Sequence, residues 1–356
     1  MNEPKSQSKG FLPYIHHFRG FAILLIVGLH TATSFSWNNP LSRKLIVSVA
    51  NNGTVLFVFI AGFLFYHLFN KKFDYQTYLR KKLLYVILPY LIISIFPIID
   101  KLFLDAGNHW WMNDEFDSLH ASMKVLYMLA TGRHFGVLWF IPMISIFYLL
   151  APFILAYSKL KLSDYITPII CIAGLFTVRF GYHSNILLSF IHFFPIYLFG
   201  IWVSKRKGSL LLKNAQLTMV ILSVYIIMTT LEIKDIIPLS DYISLRDAQE
   251  YIFVFNISKL KAMLLSFGMT LIFFQVQNKR FHFLEKLGDY SFGIFFLHLY
   301  FINVFRILLP KLTLTDFELT IITYAVYLSL VTGLCLLVVR IIKHIFKARS
   351  RLIIGS

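Results

Sequence analysis

Apolar runs of about 18 or more residues recur from one end of this sequence to the other, and each is long enough to cross the hydrocarbon core of a bilayer as a helix. Spans are expected at 15–36, 45–69, 83–100, 137–157, 164–180, 185–203, 210–230, 257–276, 288–309 and 318–342. The links between them are short, so no room is left for a separate soluble domain. Residues 1–356 read as one transmembrane domain. The expected fold class is therefore an all-α integral membrane protein, a bundle of about ten transmembrane helices. Composition agrees: 58% of the residues are hydrophobic, only 14% are charged, and mean hydropathy is +0.70. A soluble chain of this length needs more polar surface than that.

The net charge of +17 is not the footprint of a nucleic-acid binder, because the Lys and Arg residues cluster at the ends of apolar runs. Alternate links carry Lys71, Lys72, Arg80, Lys81 and Lys82; Lys205, Arg206, Lys207 and Lys213; and Arg340, Lys343, Lys347, Arg349 and Arg351. With the remaining residues on the same side, 22 of the 34 basic residues share one face. The positive-inside rule assigns that face, and both termini, to the cytoplasm. Acidic residues gather opposite, in the links 101–136 and 231–256. None of the 17 acidic residues is expected deep in a span. Cys171 and Cys335 sit inside apolar runs, where they have neither disulfide nor metal spacing.

Ionisable groups inside a bilayer are expensive and mark functional candidates. The first span carries Arg19 and His30. Eleven steps of about 100° leave them some 20° apart around the helix and about 16 Å apart along it. They share one face, with Arg19 near the cytoplasmic edge and His30 towards the outer half. Taken singly, Arg19 is equally a snorkelling anchor and His30 equally an interhelical hydrogen-bonding residue. The basic start of this segment and its apolar run 20–29 also match a signal peptide, whose removal would take His30 with it.

Together the pair is similar to something specific. The stretch His17-Phe18-Arg19-Gly20-Phe21-Ala22-Ile23-Leu24-Leu25, ending at His30, resembles the first helix of the acyltransferase 3 family of membrane acyltransferases, marked by an Arg and a His ten residues apart. Phe57-Val58-Phe59-Ile60-Ala61-Gly62-Phe63 resembles the family's second-helix motif, with Ala61 where Ser is usual. Leu138-Trp139-Phe140-Ile141-Pro142 resembles the fourth-helix motif, and Gly288-Asp289-Tyr290-Ser291, running to His298, the late one. The family commonly carries two basic residues three apart before the Pro of the third helix. Here Lys82 takes the first place and Tyr85 the second, with Arg80 and Lys81 a turn away. Length and the closing Arg351-Leu352-Ile353-Ile354-Gly355 resemble the subset attached to poly-N-acetylglucosamine loci.

The resemblance implies acyl transfer at the cytoplasmic (inner) membrane. An acyl-CoA would be the donor substrate, with no permanently bound cofactor and no metal, and the acceptor would be a hydroxyl on a lipid-linked or surface glycan. It makes His30 the general base and Arg19 its catalytic partner, with Arg19, Arg80, Lys81 and Lys82 holding the donor's phosphates. His298 and Trp139 become candidate acceptor contacts, His298 being equally a supporting group. Trp110 and Trp111 either stack on sugar rings or belong to an interfacial aromatic belt. Partners would be membrane lipid and other glycan-synthesis proteins, not nucleic acid. Two rival readings remain at this point: a polysaccharide exporter and a non-catalytic subunit of a glycan-synthesis complex. The missing membrane carboxylate counts against the exporter, and the departures at Ala61 and Tyr85 keep the subunit reading open.

Overall fold

The structure is a computed structural model of the 356-residue chain and describes residues 11–104, 112, 114–177, 179–180, 185–208, 210–237, 242–243, 255–313 and 317–356. Among the described residues, eight helical stretches are long and apolar enough to cross a membrane. They begin with Pro13–Ala32 (α1), then Pro40–Phe69, which joins Pro40–Ala50 (α2) to Gly53–Phe69 (α3). Tyr75–Leu104 joins Tyr75–Lys82 (α4) to Leu88–Ile99 (α5) through a π-helical turn at Leu83–Ile87. Two short outer helices follow, Asp114–Ser118 (α6) and Ala121–Thr131 (α7).

Phe140–Leu149 (α8) and Ala151–Lys159 (α9) form a ninth crossing if the pair is taken as one span bent by 58°. Pro152 causes the bend, because its ring displaces the Tyr148 carbonyl and it donates no hydrogen bond. Ser163–Gly174 (α10) comes next, then Ile186–Lys205 (α11), Ala215–Ile233 (α12), Ile257–Gln275 (α13), His282–Thr313 (α14), Ile321–Phe346 (α15) and Ser350–Ile354 (α16). Among the described residues, strand content is confined to two-residue pairings, Ser36–Trp37 (β1) with Glu318–Leu319 (β4), and Arg179–Phe180 (β2) with Tyr242–Ile243 (β3).

The protein is thus an all-α membrane bundle, with eight or nine long crossings among the described residues where the sequence leads one to expect about ten. The difference lies at 164–180, where α10 has only 12 residues, about 18 Å of helix. Even so, α10 joins the two faces of the bundle. Asp164 at its start pairs with Lys205 at the end of α11 at 2.5 Å, and the Leu175 carbonyl just past its end accepts from the Asn256 amide before α13 at 2.6 Å.

Such end contacts fix which links share a face. On one side His16 meets Asp289 at 3.1 Å, Lys207 meets His67, and Lys343 lies 4.5 Å over the Tyr290 ring. On the other Lys44 pairs with Asp235, and β1 pairs with β4. The strongly basic links all fall on the first side. Tags at Tyr75 and Lys207 are accordingly expected to report the cytoplasm and a tag at Glu115 the outside; tags at 75 and 115 reporting one compartment would overturn the arrangement.

Helix starts follow ordinary capping chemistry. Asn39, Asp74, Asn185, Asn214, Asn256 and Thr320 each accept a backbone N–H of the first turn that follows. Two backbone contacts position what lies between the helices. Gly20 of α1 lies against the Leu284 carbonyl of α14, and Gly62 of α3 against the Tyr197 carbonyl of α11; a Cβ at either would overlap that oxygen. Small residues of this kind let membrane helices approach to backbone contact.

One carboxylate that the sequence assigns to the link 231–256 is instead packed at the end of a span. Glu232, in the last turn of α12, is 1% exposed and pairs with Lys261 of α13, itself 2% exposed in its side chain. Ser48 of α2 donates to the same carboxylate, and Lys261 also donates to the Ser48 carbonyl at 2.8 Å.

Candidate active site

Because Gly20 brings α1 onto α14, the polar face of α1 runs along α14. The Arg19 guanidinium donates to Ser291 Oγ at 2.6 Å, and Ser291 Oγ donates in turn to the Gly288 carbonyl at 3.0 Å. Further along, the His30 ring lies 5.3 Å from the His298 ring, centre to centre. His298 Nδ1 is 3.0 Å from the Ile294 carbonyl, which can only accept, so Nδ1 carries the proton and Nε2 a lone pair. That Nε2 is buried with no hydrogen-bond partner among the described residues.

Two cavities open along this face. The first, about 710 Å³, is lined by Arg19, Lys82, Ala61, Tyr78, Tyr148 and Tyr197, among others. Lys82 Nζ stands 4.6 Å from the Tyr148 ring centre and 5.4 Å from that of Tyr78, so aromatic faces hold the ammonium. The second, about 460 Å³, is lined by His30, Thr54, Trp139, Phe140, Ser291 and Phe295, among others. Phe57 and Phe292 belong to both walls. A fixed pair of cations thus sits in one chamber and an imidazole in the next, with two phenylalanines between them.

The candidates named from sequence divide accordingly. Arg19 and Lys82 meet in one cavity, and His30 and Trp139 in the other, Trp139 stacking on Phe193 at 5.9 Å. Arg80 and Lys81 are exposed and outside the lining. One helical turn cannot point three consecutive residues inward, and the Tyr78–Lys82 face is the one that packs. His298 is 0% exposed and lies behind His30, not in the cavity wall. Trp110 and Trp111 lie outside the described residues. Ser291, Phe57 and Phe292 have no role that sequence alone suggests, although each falls within one of the quoted motifs.

All four motif segments therefore converge on the same two chambers, from α1, α3, the start of α8 and α14. The family model for the acyltransferase domain (acyltransferase 3) matches residues 12–340. The chain belongs to that family. It is a multi-pass membrane acyltransferase. No curated protein and no solved structure gives a significant match. Within this acyltransferase, Ala61 lines the Arg19 chamber, and Tyr85 carries the Arg351 guanidinium 4.5 Å over its ring.

Proposed function

We propose that this acyltransferase moves an acyl group, acetyl or succinyl, from cytoplasmic acyl-CoA to a hydroxyl of a lipid-linked or cell-surface glycan at the inner membrane. The observation that carries the reading is the pair of adjoining chambers, with Arg19 and Lys82 in the one nearer the basic face and His30 in the other. Donor phosphates need fixed positive charge, which a guanidinium and an ammonium supply. The acyl-bearing arm then reaches past Phe57 and Phe292 to His30. There the imidazole takes the proton of the acceptor hydroxyl. The oxygen attacks the thioester carbonyl, the carbon–sulfur bond breaks, and the thiolate leaves with a proton returned to it. His298 acts through His30: its ring, 5.3 Å from the His30 ring centre to centre, limits how that ring can turn. It is a positioning residue in this scheme.

Separating the basic residues tests the donor side. Lys82→Ala is expected to weaken acyl-CoA binding about 10- to 150-fold, the equivalent of one charge-assisted contact of ~1.5–3 kcal/mol. Arg80→Ala with Lys81→Ala should change it less than about threefold, as exposed charges do. Binding to purified protein by calorimetry decides between them. A larger loss from the exposed pair would move the donor site out of the chamber. Chemical analysis of surface glycan with and without the gene tests the whole reading, and identical acyl content would overturn it.

A further inference from the structure

The closing segment 350–356 does not trail from α15 but folds back into the bundle. Ile354 is 1% exposed and Ser356 is 7% exposed. Two contacts tie it to the bundle and a third closes it on itself. Arg351 lies over Tyr85 in the π-helical turn that follows Lys82. Ser350 Oγ donates to the Ser356 carbonyl at 3.0 Å, closing the segment on itself. Ser356 Oγ accepts from the Gly293 amide of α14 at 2.8 Å.

Gly355 occupies the left-handed region at φ +70, which favours glycine. It sits so closely that a Cβ there would lie 3.0 Å from Phe292 Cδ1 and 3.1 Å from the Tyr85 carbonyl. Phe292, one residue before the clasped Gly293 amide, is one of the two side chains shared by the chamber walls.

We propose that segment 350–356 is a positioning clasp that fixes Phe292 between the chambers and so governs passage from the Arg19–Lys82 chamber to His30. The inference rests on the proposed function only for the identity of what passes. Both contacts with the bundle bear on the same point. The segment packs on one side against the π turn beside Lys82 and on the other against the backbone carrying Phe292. A neighbour that packs against the ring shared by two chambers restricts where that ring can move, and supporting segments control access to a reacting centre in this way.

The test uses full-length protein in membrane vesicles, with Cys171→Ala and Cys335→Ala removing the native thiols and Thr54→Cys placing one in the His30 chamber. A charged maleimide, applied to inside-out vesicles, reports passage from the cytoplasmic face without any need for activity. Ser356→Ala is expected to change the labelling rate at least about fivefold, the factor set by loss of one ordinary hydrogen bond, and Gly355→Ala, whose Cβ would press on Phe292 in a backbone region that favours glycine, should change it as well. Ser356→Thr, which keeps the hydroxyl, should label as the parent does. Phe292→Ala should label fast, and adding Gly355→Ala to it should change nothing further, because both act through one ring.

Parent-like labelling of Ser356→Ala, or effects that add to those of Phe292→Ala, would overturn the clasp. If Gly355→Ala fails to insert, the Ser356 pair decides alone. A protein that binds no acyl-CoA yet shows the labelling pattern would sink the donor reading and leave the clasp standing.

Discussion

His30→Ala is expected to lower glycan acylation by at least about 10²-fold, the ordinary contribution of a positioned general base, while leaving acyl-CoA binding nearly unchanged. The expectation follows from where the residue stands. His30 is the one imidazole in the wall of its chamber among the described residues, and Arg19 and Lys82 line the other. His30→Gln keeps a hydrogen-bonding side chain of similar reach but cannot accept a proton at neutral pH, so it should fail as badly. Arg19→Ala should differ in kind, raising the donor requirement before it lowers the maximal rate. His298→Ala should fall between the two, because it removes only the group behind the base. The measurement is acyl content of the glycan beside coenzyme A binding, at matched membrane levels. Full acylation by His30→Gln would remove the base assignment and leave His30 as a strut between helices.

Much of this site is legible in the amino-acid sequence. Helical periodicity alone puts Arg19 and His30 on one face, and the structure aligns that face with Ser291 and His298 of α14. What periodicity lacks is the partner, since nothing within α1 says which helix lies against it. The Gly20–Leu284 contact that settles the question joins residues 264 positions apart. The basic cluster shows the same limit: Arg80, Lys81 and Lys82 are equivalent as charges, and only the packing of Tyr78 and Tyr148 selects Lys82. Asn185 and Asn256 carry a plainer signal, because each precedes an apolar run as an N-cap should. Ala61 and Tyr85 look like defects in a pattern when read as letters. In the fold Ala61 lines the chamber, and Tyr85 becomes the platform for Arg351.

Glu232 escapes sequence reasoning for a physical reason that also ties it to stability. Hydropathy ends the seventh span near residue 230 and assigns Glu232 to a solvated link, whereas α12 continues to Ile233 and packs Glu232 against α2 and α13. Glu232→Ala would leave the buried Lys261 ammonium with the Ser48 carbonyl and hydroxyl, neither of which carries a counter-charge. Breaking one side of a buried ion pair costs about 3–5 kcal/mol, so this variant should unfold far below the parent's temperature in detergent.

Replacing both partners, with Glu232→Leu and Lys261→Met, removes the charge and its counter-charge together and should recover most of that loss. Thermal unfolding followed by size-exclusion of the fluorescently tagged protein reads the difference. A double variant as unstable as Glu232→Ala would mean that the pair supports more than itself. Glu232→Gln separates structure from function, since it keeps the shape and most hydrogen bonds while deleting the charge. If the site described above is the active one, folded Glu232→Gln should retain acylation per molecule, because its network lies outside both chamber walls. A stable Glu232→Gln protein that loses all glycan acylation would instead make this carboxylate part of the working site and overturn a scheme confined to the two chambers.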